Sequence, residues 1–165
     1  MNGALKNKSE YLDYMVNKYA NMVYRIALTR TNNKLDSEDI FQEVFLRVTK
    51  KMPIFESEEH EKAWMIRVTI NCSNSLLTSN WKKKLEPLKE EIEFETKERH
   101  EVYYEVAKLP TKYRTVIYLF YYEGYKINEI SKILNTNEST VKTQLARARE
   151  KLKKNLNGGE IFEDE

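Results

Sequence analysis

Apolar side chains recur at helical spacing along most of this sequence, and that pattern constrains the fold more than any other feature. In the first such segment, one face carries Leu12, Met15, Tyr19, Met22, Val23 and Ile26. The 165 residues include only four glycines and three prolines, and we find no run in which apolar and polar residues alternate as strands require. We therefore predict an all-α protein.

Three long helices are predicted in the first half of the chain. The first is expected at residues 11–31. The second is expected to begin after Asp36, a good N-cap residue, and to end at Lys51, shortly before Pro53. The third is expected at residues 59–79.

Charge and apolar content divide the sequence into two small domains. Residues 82–106 hold six basic and eight acidic side chains, with too few apolar residues to bury much surface. We predict an N-terminal helical bundle at residues 8–81 and a C-terminal helix-turn-helix domain at residues 105–154, joined by a charged linker at residues 82–104. The acidic tail, residues 155–165, is expected to be disordered.

The composition excludes several classes of function. No stretch approaches the ~20 apolar residues of a membrane span, and the N-terminus lacks a secretory signal, so we expect a cytoplasmic protein with no membrane insertion of its own. Cys72 is the only cysteine, and with His60 and His100 it forms no metal-ligand or nucleophile motif. We expect no metal, no cofactor and no catalytic centre.

The C-terminal part of the sequence predicts two short helices separated by a tight turn. Helical spacing covers residues 127–134, after which Asn135 suits a left-handed turn position and Asn137 suits the N-cap of the next helix. The buried stripe of that second helix is predicted to be Val141, Leu145, Ala148 and Leu152. Its opposite side then presents Ser139, Thr140, Lys142, Thr143 and Arg147.

These polar side chains suit the groove of duplex DNA. In a helix-turn-helix, the N-terminal part of the second helix faces base edges, where hydroxyl, amide and guanidinium groups form hydrogen bonds. Residues 107–154 carry eleven basic and four acidic side chains, and we expect Arg149, Lys151, Lys153 and Lys154 to hold phosphates. The pattern alone also permits a helical hairpin within a protein-binding bundle.

A second candidate surface lies on the predicted second helix. Its exposed face is expected to hold Asp39, Gln42, Glu43 and Leu46. An exposed leucine among polar side chains fits a protein-docking patch, although a single exposed leucine is also common on ordinary surfaces.

The predicted third helix carries a polar stripe along one side. The stripe comprises Arg67, Asn71, Asn74 and Thr78 and, if the helix continues, Trp81 and Lys82. Amides can reach base edges, aromatic rings can stack on unpaired bases, and lysines can hold phosphates, so the stripe suits strand-separated DNA. The alternative is that the asparagines are simply solvated.

The sequence resembles the bacterial RNA polymerase sigma factors of the extracytoplasmic-function group. The resemblance rests on LPTKYRTVIYLFYYEGYKINEISKILNTNESTVKTQLARAREKL at 109–152, on YRIALTRTNNKLDSEDIFQEVFLRV at 24–48, and on KAWMIRVTINCSNSLLTSNWKKK at 62–84. It implies a factor that directs the polymerase core to specific promoters. It also implies that the exposed face of the second helix binds the β′ clamp, that the third helix and the loop at 55–61 recognise and melt the minus-ten element, and that the last helix binds the minus-thirty-five element. The implied partners are the core, through its β′ clamp and β flap, promoter DNA and an anti-sigma factor.

The chain departs from the family pattern in both domains, and in the third helix Ser75 replaces a frequent aspartate or asparagine. Glu56, Glu58, Glu59 and Glu61 lie in the predicted loop, where many relatives carry small and apolar residues. In the C-terminal domain, Lys126 stands in place of a serine N-cap, Asn135 in place of a turn glycine and Gln144 in place of a common arginine; we expect Asn128 to cap the helix one turn later. Rival functions are a stand-alone helix-turn-helix regulator and a helical adaptor without a DNA role.

Overall fold

The computed structural model of this chain describes residues 7–79 and 104–156. The chain divides into two compact units, residues 1–88 and 89–165. Every regular element in the described ranges is helical, which confirms the predicted fold class. No helix in the described ranges is long and apolar enough to cross a membrane.

Parts of the predicted domain organisation fall where the structure gives no description. Of the predicted linker at residues 82–104, only Tyr104 is described, and it is already helical. Of the predicted tail at residues 155–165, Asn155 ends the last helix and Leu156 forms a turn. The rest of both segments lies outside the described residues, so the domain limits stay predictions.

The N-terminal unit consists of three helices that pack on one another. These are α1 (Lys8–Thr31), α2 (Lys34–Lys51) and α3 (Glu58–Ser79). Their apolar stripes converge on a core whose fully buried members include Met15, Val23, Val44, Val48 and Met65. Burial of each such side chain contributes about 1.5–3 kcal/mol to folding, so helical periodicity is enough to define this core.

The beginning of α2 differs from its prediction. The helix starts at Lys34 rather than after Asp36, and its N-cap is Asn33, whose side-chain oxygen accepts a hydrogen bond from the Asp36 backbone N–H at 2.9 Å. Asn32, in the left-handed conformation at φ 50°, ends α1. Two consecutive asparagines therefore separate the helices, the first as a C-cap and the second as an N-cap.

The C-terminal unit contains a short helix followed by the two helices of the helix-turn-helix. The elements are α4 (Thr111–Ile117), which continues as a π-helix (Tyr118–Tyr122), α5 (Ile127–Leu134) and α6 (Glu138–Asn155). The predicted stripe of α6 is buried as expected, since Val141, Leu145, Ala148 and Leu152 are at most 1% exposed.

The turns of this unit follow the predicted chemistry, except at two caps. Gly124 has φ 75° after the π-helix, and Asn135 has φ 52° after α5, as left-handed turn positions require. Asn137 occupies the N-cap position of α6 but makes no side-chain cap bond. At α5 the expected cap by Asn128 is wrong: the Lys126 backbone N–H donates to Glu129 Oε2 at 3.0 Å.

Candidate nucleic-acid and protein interfaces

One side of α6 presents all five of the polar residues predicted for it. Ser139, Lys142, Thr143 and Arg147 are exposed and Thr140 is half-buried. Four of these five line a shallow cleft against the first turn of α4, and Lys142 lies outside that lining. Hydroxyl, ammonium and guanidinium groups are thus gathered on one side of α6, as groove recognition by the second helix of a helix-turn-helix requires.

The same cleft includes a basic residue that sequence reasoning missed. Lys112, in the first turn of α4, is exposed and lines the cleft together with Tyr113 and Arg147. In a helix-turn-helix the helices outside the groove commonly contact the DNA backbone. Only the fold brings Lys112 beside Arg147, because the two residues lie 35 positions apart in the chain. The basic excess of the segment was the one signal that pointed to Lys112.

Arg149 contacts two aromatic side chains of the π-helix, which the sequence did not predict. Its Nε donates to the Tyr121 hydroxyl at 2.6 Å, and its guanidinium lies 5.4 Å from the centre of the Phe120 ring. These contacts join α6 to the π-helix. Lys151, Lys153 and Lys154 are exposed, and phosphate contacts remain a prediction for these three lysines and for Arg149.

The predicted docking face of α2 is exposed along its whole length. Asp39, Gln42 and Glu43 are exposed, and 55% of Leu46 is accessible. Glu43 forms an ion pair with Arg47 at 3.0 Å, so that acid is held along the helix rather than extended into solvent.

Leu35 extends this face and was not predicted. It is 70% exposed and lies eleven residues before Leu46, which on an α-helix is about three full turns and therefore the same side. Two exposed leucines at the ends of a polar strip resemble an interface more closely than one does. We call the strip formed by Leu35, Asp39, Gln42, Glu43 and Leu46 the α2 surface.

The polar stripe of α3 is present on the surface of the N-terminal unit. Arg67, Asn71, Asn74 and Thr78 are all exposed. The Thr78 hydroxyl donates to the Asn74 carbonyl at 2.8 Å. Trp81 and Lys82, the last two members predicted for the stripe, lie outside the described residues.

The loop before α3 is shorter than predicted, and Glu61 does not belong to it. Because α3 begins at Glu58, the loop spans residues 52–57. Glu61 is only 6% exposed, and one of its oxygens accepts from Tyr19 at 2.7 Å, from Lys18 at 2.9 Å and from Tyr14 at 3.2 Å. A buried carboxylate is tolerated because three donors on α1 satisfy it.

Burial and the contacts with Glu61 shift the pKa values of three α1 side chains. Burial, followed by the hydrogen bond and the negative charge of Glu61, raises the pKa of Tyr19. Burial and the charge of Glu61 raise the pKa of Tyr11 to about 12. For Lys18, burial lowers the pKa, but its hydrogen bonds to Glu61, Tyr14 and Glu58 raise it by more. The cluster therefore holds Lys18 in its charged form at neutral pH.

Aromatic side chains hold the loop at 52–57 against the helices. The Phe55 ring lies 5.4 Å from the rings of His60 and Trp64, and the Tyr11 hydroxyl donates to the Pro53 carbonyl at 2.8 Å. Ile54 is 79% exposed. The loop is thus anchored at Pro53 and at Phe55, on either side of the exposed Ile54.

The described residues show no cluster of His, Cys, Asp or Glu that could hold a metal ion. Cys72 is buried in the N-terminal core, and burial raises the pKa of its thiol. A buried, protonated thiol is a packing residue rather than a nucleophile.

Comparison with known families assigns both units. Residues 15–83 match the model of Sigma-70 region 2, and residues 99–152 match that of Sigma-70 region 4. The chain is 30% identical to the RNA polymerase sigma factor SigV of Bacillus subtilis (strain 168), over 76% of this chain and 78% of that one. It is 28% identical to the ECF RNA polymerase sigma factor SigW of the same organism, over 86% and 87% of the two chains.

Solved structures show the same fold at lower identity. The sigma factor RpoE, solved in complex with the anti-sigma factor NepR from Bartonella quintana, matches with a TM-score of 0.77 at 16% identity, over 89% of this chain and 97% of that one. CnrH, solved in complex with the cytosolic domain of CnrY, matches with a TM-score of 0.64 at 22% identity, over 93% and 91%.

Proposed function

Because this chain belongs to the RNA polymerase sigma factors of the extracytoplasmic-function group, we propose that its three exposed polar surfaces divide promoter recognition among them. The protein directs the polymerase core to specific promoters for the initiation of transcription. It acts as a binding factor, and the catalytic chemistry belongs to the polymerase. The observation that carries this assignment is the presence of a region 2 unit and a region 4 unit in one chain.

The α2 surface is the proposed polymerase-docking site. Leu46 and Leu35 supply exposed apolar area, and Asp39 and Gln42 supply polar groups between them. Interfaces of this kind bury a few apolar anchors inside a polar rim. The β′ clamp is the part of the polymerase that the family resemblance assigns to this helix.

The stripe on α3 is the proposed site for the minus-ten element. Asn71 and Asn74 offer amides to base edges, and Arg67 offers a guanidinium to a base or a phosphate. All three are exposed on the same helix. The anchored loop at 52–57, which presents Ile54, directly precedes this helix.

The exposed side of α6 is the proposed site for the minus-thirty-five element. Ser139, Thr143 and Arg147 face outward, and the exposed Lys112 on α4 adds a positive charge beside them. Hydroxyls and a guanidinium read base edges in the major groove, while lysines bind phosphates without reading sequence.

An anti-sigma factor is a further proposed partner. Two structures of the same fold were solved with such partners: RpoE with the anti-sigma factor NepR, and CnrH with the cytosolic domain of CnrY. For this chain, affinity capture of the full-length protein followed by mass spectrometry should recover polymerase subunits together with any such inhibitor.

Transcript mapping tests the function directly. Core polymerase is mixed with this protein and with fragments of the genome that encodes it, and the 5′ ends of the transcripts are sequenced. We expect a set of start sites that share upstream sequence and that require this protein. A known sigma factor serves as the positive control. If the control initiates and this protein yields no specific start site, the proposal fails.

A stand-alone helix-turn-helix regulator is not favoured. A regulator of that kind needs only the C-terminal unit for DNA recognition, whereas this chain also matches Sigma-70 region 2 across residues 15–83.

A further inference from the structure

A buried arginine of α1 contacts the stripe on α3. Arg30 is only 7% exposed. Its Nε donates a hydrogen bond to Ser73 Oγ, and its Nη2 donates to the side-chain oxygen of Asn74. The guanidinium therefore reaches from the core to a residue whose own side chain lies on the surface.

This contact fixes the orientation of the Asn74 amide. A guanidinium has donors and no acceptor, so it can bind only the oxygen of a neighbouring amide and never the NH₂ group. The side-chain oxygen of Asn74 is consequently held toward Arg30. The opposite end of the amide, which carries two N–H donors, is the part that faces away from the guanidinium.

We propose that Arg30 makes Asn74 a donor-only reader of the minus-ten element. Arg30 acts here as a positioning residue, and Asn74 is the residue that touches the base. The inference rests on the proposed function, and it specifies the chemistry at one position: the atom that Asn74 contacts is a hydrogen-bond acceptor on an unpaired base.

The consequence for base choice follows from the donors and acceptors of the bases. A free asparagine recognises adenine by a paired contact, in which the amide oxygen accepts from N6 and the amide nitrogen donates to N7. Because its oxygen points toward the buried Arg30, Asn74 presents its two N–H donors outward, and the paired contact with adenine is lost. On the base edge that faces the major groove in a duplex, guanine offers O6 and N7 as adjacent acceptors and thymine offers O4, whereas adenine offers N7 beside a donating amino group. On that edge, guanine and thymine fit the outward donors better than adenine does.

Neighbouring side chains do not provide the same constraint. The Ser75 hydroxyl donates to the Asn71 carbonyl at 3.2 Å, and the Thr78 hydroxyl donates to the Asn74 carbonyl at 2.8 Å. Hydroxyl groups can rotate, and each keeps acceptor capacity when it donates within the helix. In Asn74, by contrast, a buried charge sets the direction of the side-chain amide.

A randomised promoter library tests the proposal. The starting promoter is taken from the transcript mapping described above, and each position of its minus-ten element is randomised. The full-length protein with core polymerase then transcribes the library, and base frequencies are counted in the transcripts. For the wild type we expect one position at which guanine or thymine exceeds adenine by at least about fivefold, which corresponds to about 1 kcal/mol.

Two substitutions should change that position and leave the others unaltered. Asn74→Asp keeps an oxygen for Arg30 and turns the outward group into an acceptor, so the preference should shift toward adenine and cytosine, whose amino groups donate on this same edge. Arg30→Met releases the Asn74 oxygen, so adenine should rise at least about threefold at that position. Arg30→Lys retains a donor and should keep the wild-type preference in large part.

The controls separate positioning from folding. Ser73→Ala removes the Arg30–Ser73 hydrogen bond and leaves the Asn74 bond, so it should not alter the base profile even if it lowers stability. Circular dichroism of each full-length variant reports whether the helices are intact. If Arg30→Met does not fold, Arg30→Gln replaces it: the glutamine amide can accept from Asn74 as well as donate to it, so adenine should again rise, and an unchanged profile would overturn the role of Arg30.

Each outcome has a distinct meaning. An unchanged profile with Asn74→Asp overturns the inference, because Asn74 then reads no base. A shift with Asn74→Asp but a wild-type profile with a folded Arg30→Met also overturns it, because Arg30 then does not set the polarity. Absence of any specific transcript from the wild type, with an active control sigma factor, overturns the proposed function as well.

Discussion

Glu58 and Glu61 are one turn apart on α3 and meet the same lysine, yet their surroundings differ. The Glu58 side chain is 80% exposed and lies 3.3 Å from Lys18 Nζ, whereas the Glu61 side chain is 8% exposed and lies 2.9 Å from the same atom. Water screens the first pair and competes for it. The second pair has two tyrosine hydroxyls as further donors and little water around it.

We expect Glu61→Leu to lower the free energy of unfolding of the N-terminal unit by about 2 to 3 kcal/mol, because the Tyr19 hydroxyl and the Lys18 ammonium lose their acceptor. The matched variant Glu58→Leu should cost no more than about 0.5 kcal/mol, as is usual for exposed pairs. Urea unfolding followed by tryptophan fluorescence measures both. If the two variants lose equal free energy of unfolding, the buried Glu61 cluster stabilises the unit no more than the exposed Glu58 pair does.

Leu46 permits a test of the α2 surface at a single side chain. Leu46→Asp places a charge where an apolar anchor is proposed, and we expect the affinity for core polymerase to fall at least about thirtyfold, which corresponds to about 2 kcal/mol. The helix content should not change, since the leucine is 55% exposed. Fluorescence anisotropy with labelled protein and core polymerase measures the affinity.

Asn17→Asp is the control for that variant. It adds the same charge at an exposed position of α1, on the side opposite the buried Met15 and Tyr19. Its affinity for the polymerase should stay within about twofold of the wild type. If Leu46→Asp and Asn17→Asp bind equally well, the α2 surface is not the docking site.

For single residues, the sequence predicted which side chains are exposed more accurately than it predicted which side chains contact one another. Helical periodicity correctly placed Leu46 outside and Val44 inside, because both follow from spacing along one helix. It gave no warning that Glu61 is buried or that Arg30 binds Asn74. Those contacts join residues more than 40 positions apart, and only the packing of α1 against α3 creates them.

At the scale of elements, α6 divides its arginines between two tasks. Arg147 is exposed and lines the cleft on the proposed DNA-binding side. Arg149, two residues further along, is about 200° around the helix and packs on Phe120 and Tyr121. Sequence reasoning assigned DNA contacts to both, since a π-helix with exposed aromatic rings has no clear signature in the residue pattern.

Substitution of each arginine should separate these tasks. Arg147→Ala should reduce the preference for the minus-thirty-five element by about 1 to 3 kcal/mol relative to unrelated DNA and leave the stability unchanged. Arg149→Ala should loosen α6, raising the rate of amide hydrogen exchange across 138–155, and leave the base preference unchanged. Competition binding and exchange mass spectrometry measure the two properties. The division is wrong if Arg149→Ala alters the preference and Arg147→Ala does not.

Helix boundaries show the same contrast. Boundaries that follow from the preference of one residue type were predictable, and a boundary that depends on the path of the chain was not. The turn at Asn135 and the stop at Gly124 were predictable, because left-handed positions select asparagine and glycine. The start of α2 was predicted three residues late, at Asp36. Both Asn33 and Asp36 are good caps by composition, and the choice of Asn33 depends on the sharp turn after Asn32, which the pattern did not reveal.

The distribution of charge along the chain predicts how the protein binds DNA. Residues 107–154 carry a net charge of +7, from eleven basic and four acidic side chains, and the exposed members near α6 include Lys112, Lys142 and Arg147. A basic unit of this kind binds duplex DNA weakly and without much selectivity on its own, and the affinity depends strongly on salt. Docking to polymerase through the α2 surface would add contacts that this unit cannot supply.

We therefore expect promoter binding to depend on both polymerase and salt. Without polymerase, the affinity for a promoter duplex should fall about 10²- to 10³-fold between 50 and 200 mM salt if roughly five phosphates are contacted. With core polymerase, a specific complex should form at concentrations at which the protein alone gives none, and Leu46→Asp should abolish that complex while leaving the weak binding of the protein alone intact. Gel mobility shifts with and without polymerase measure all three. Tight, selective binding without polymerase that Leu46→Asp does not affect would contradict this expectation and indicate a stand-alone regulator.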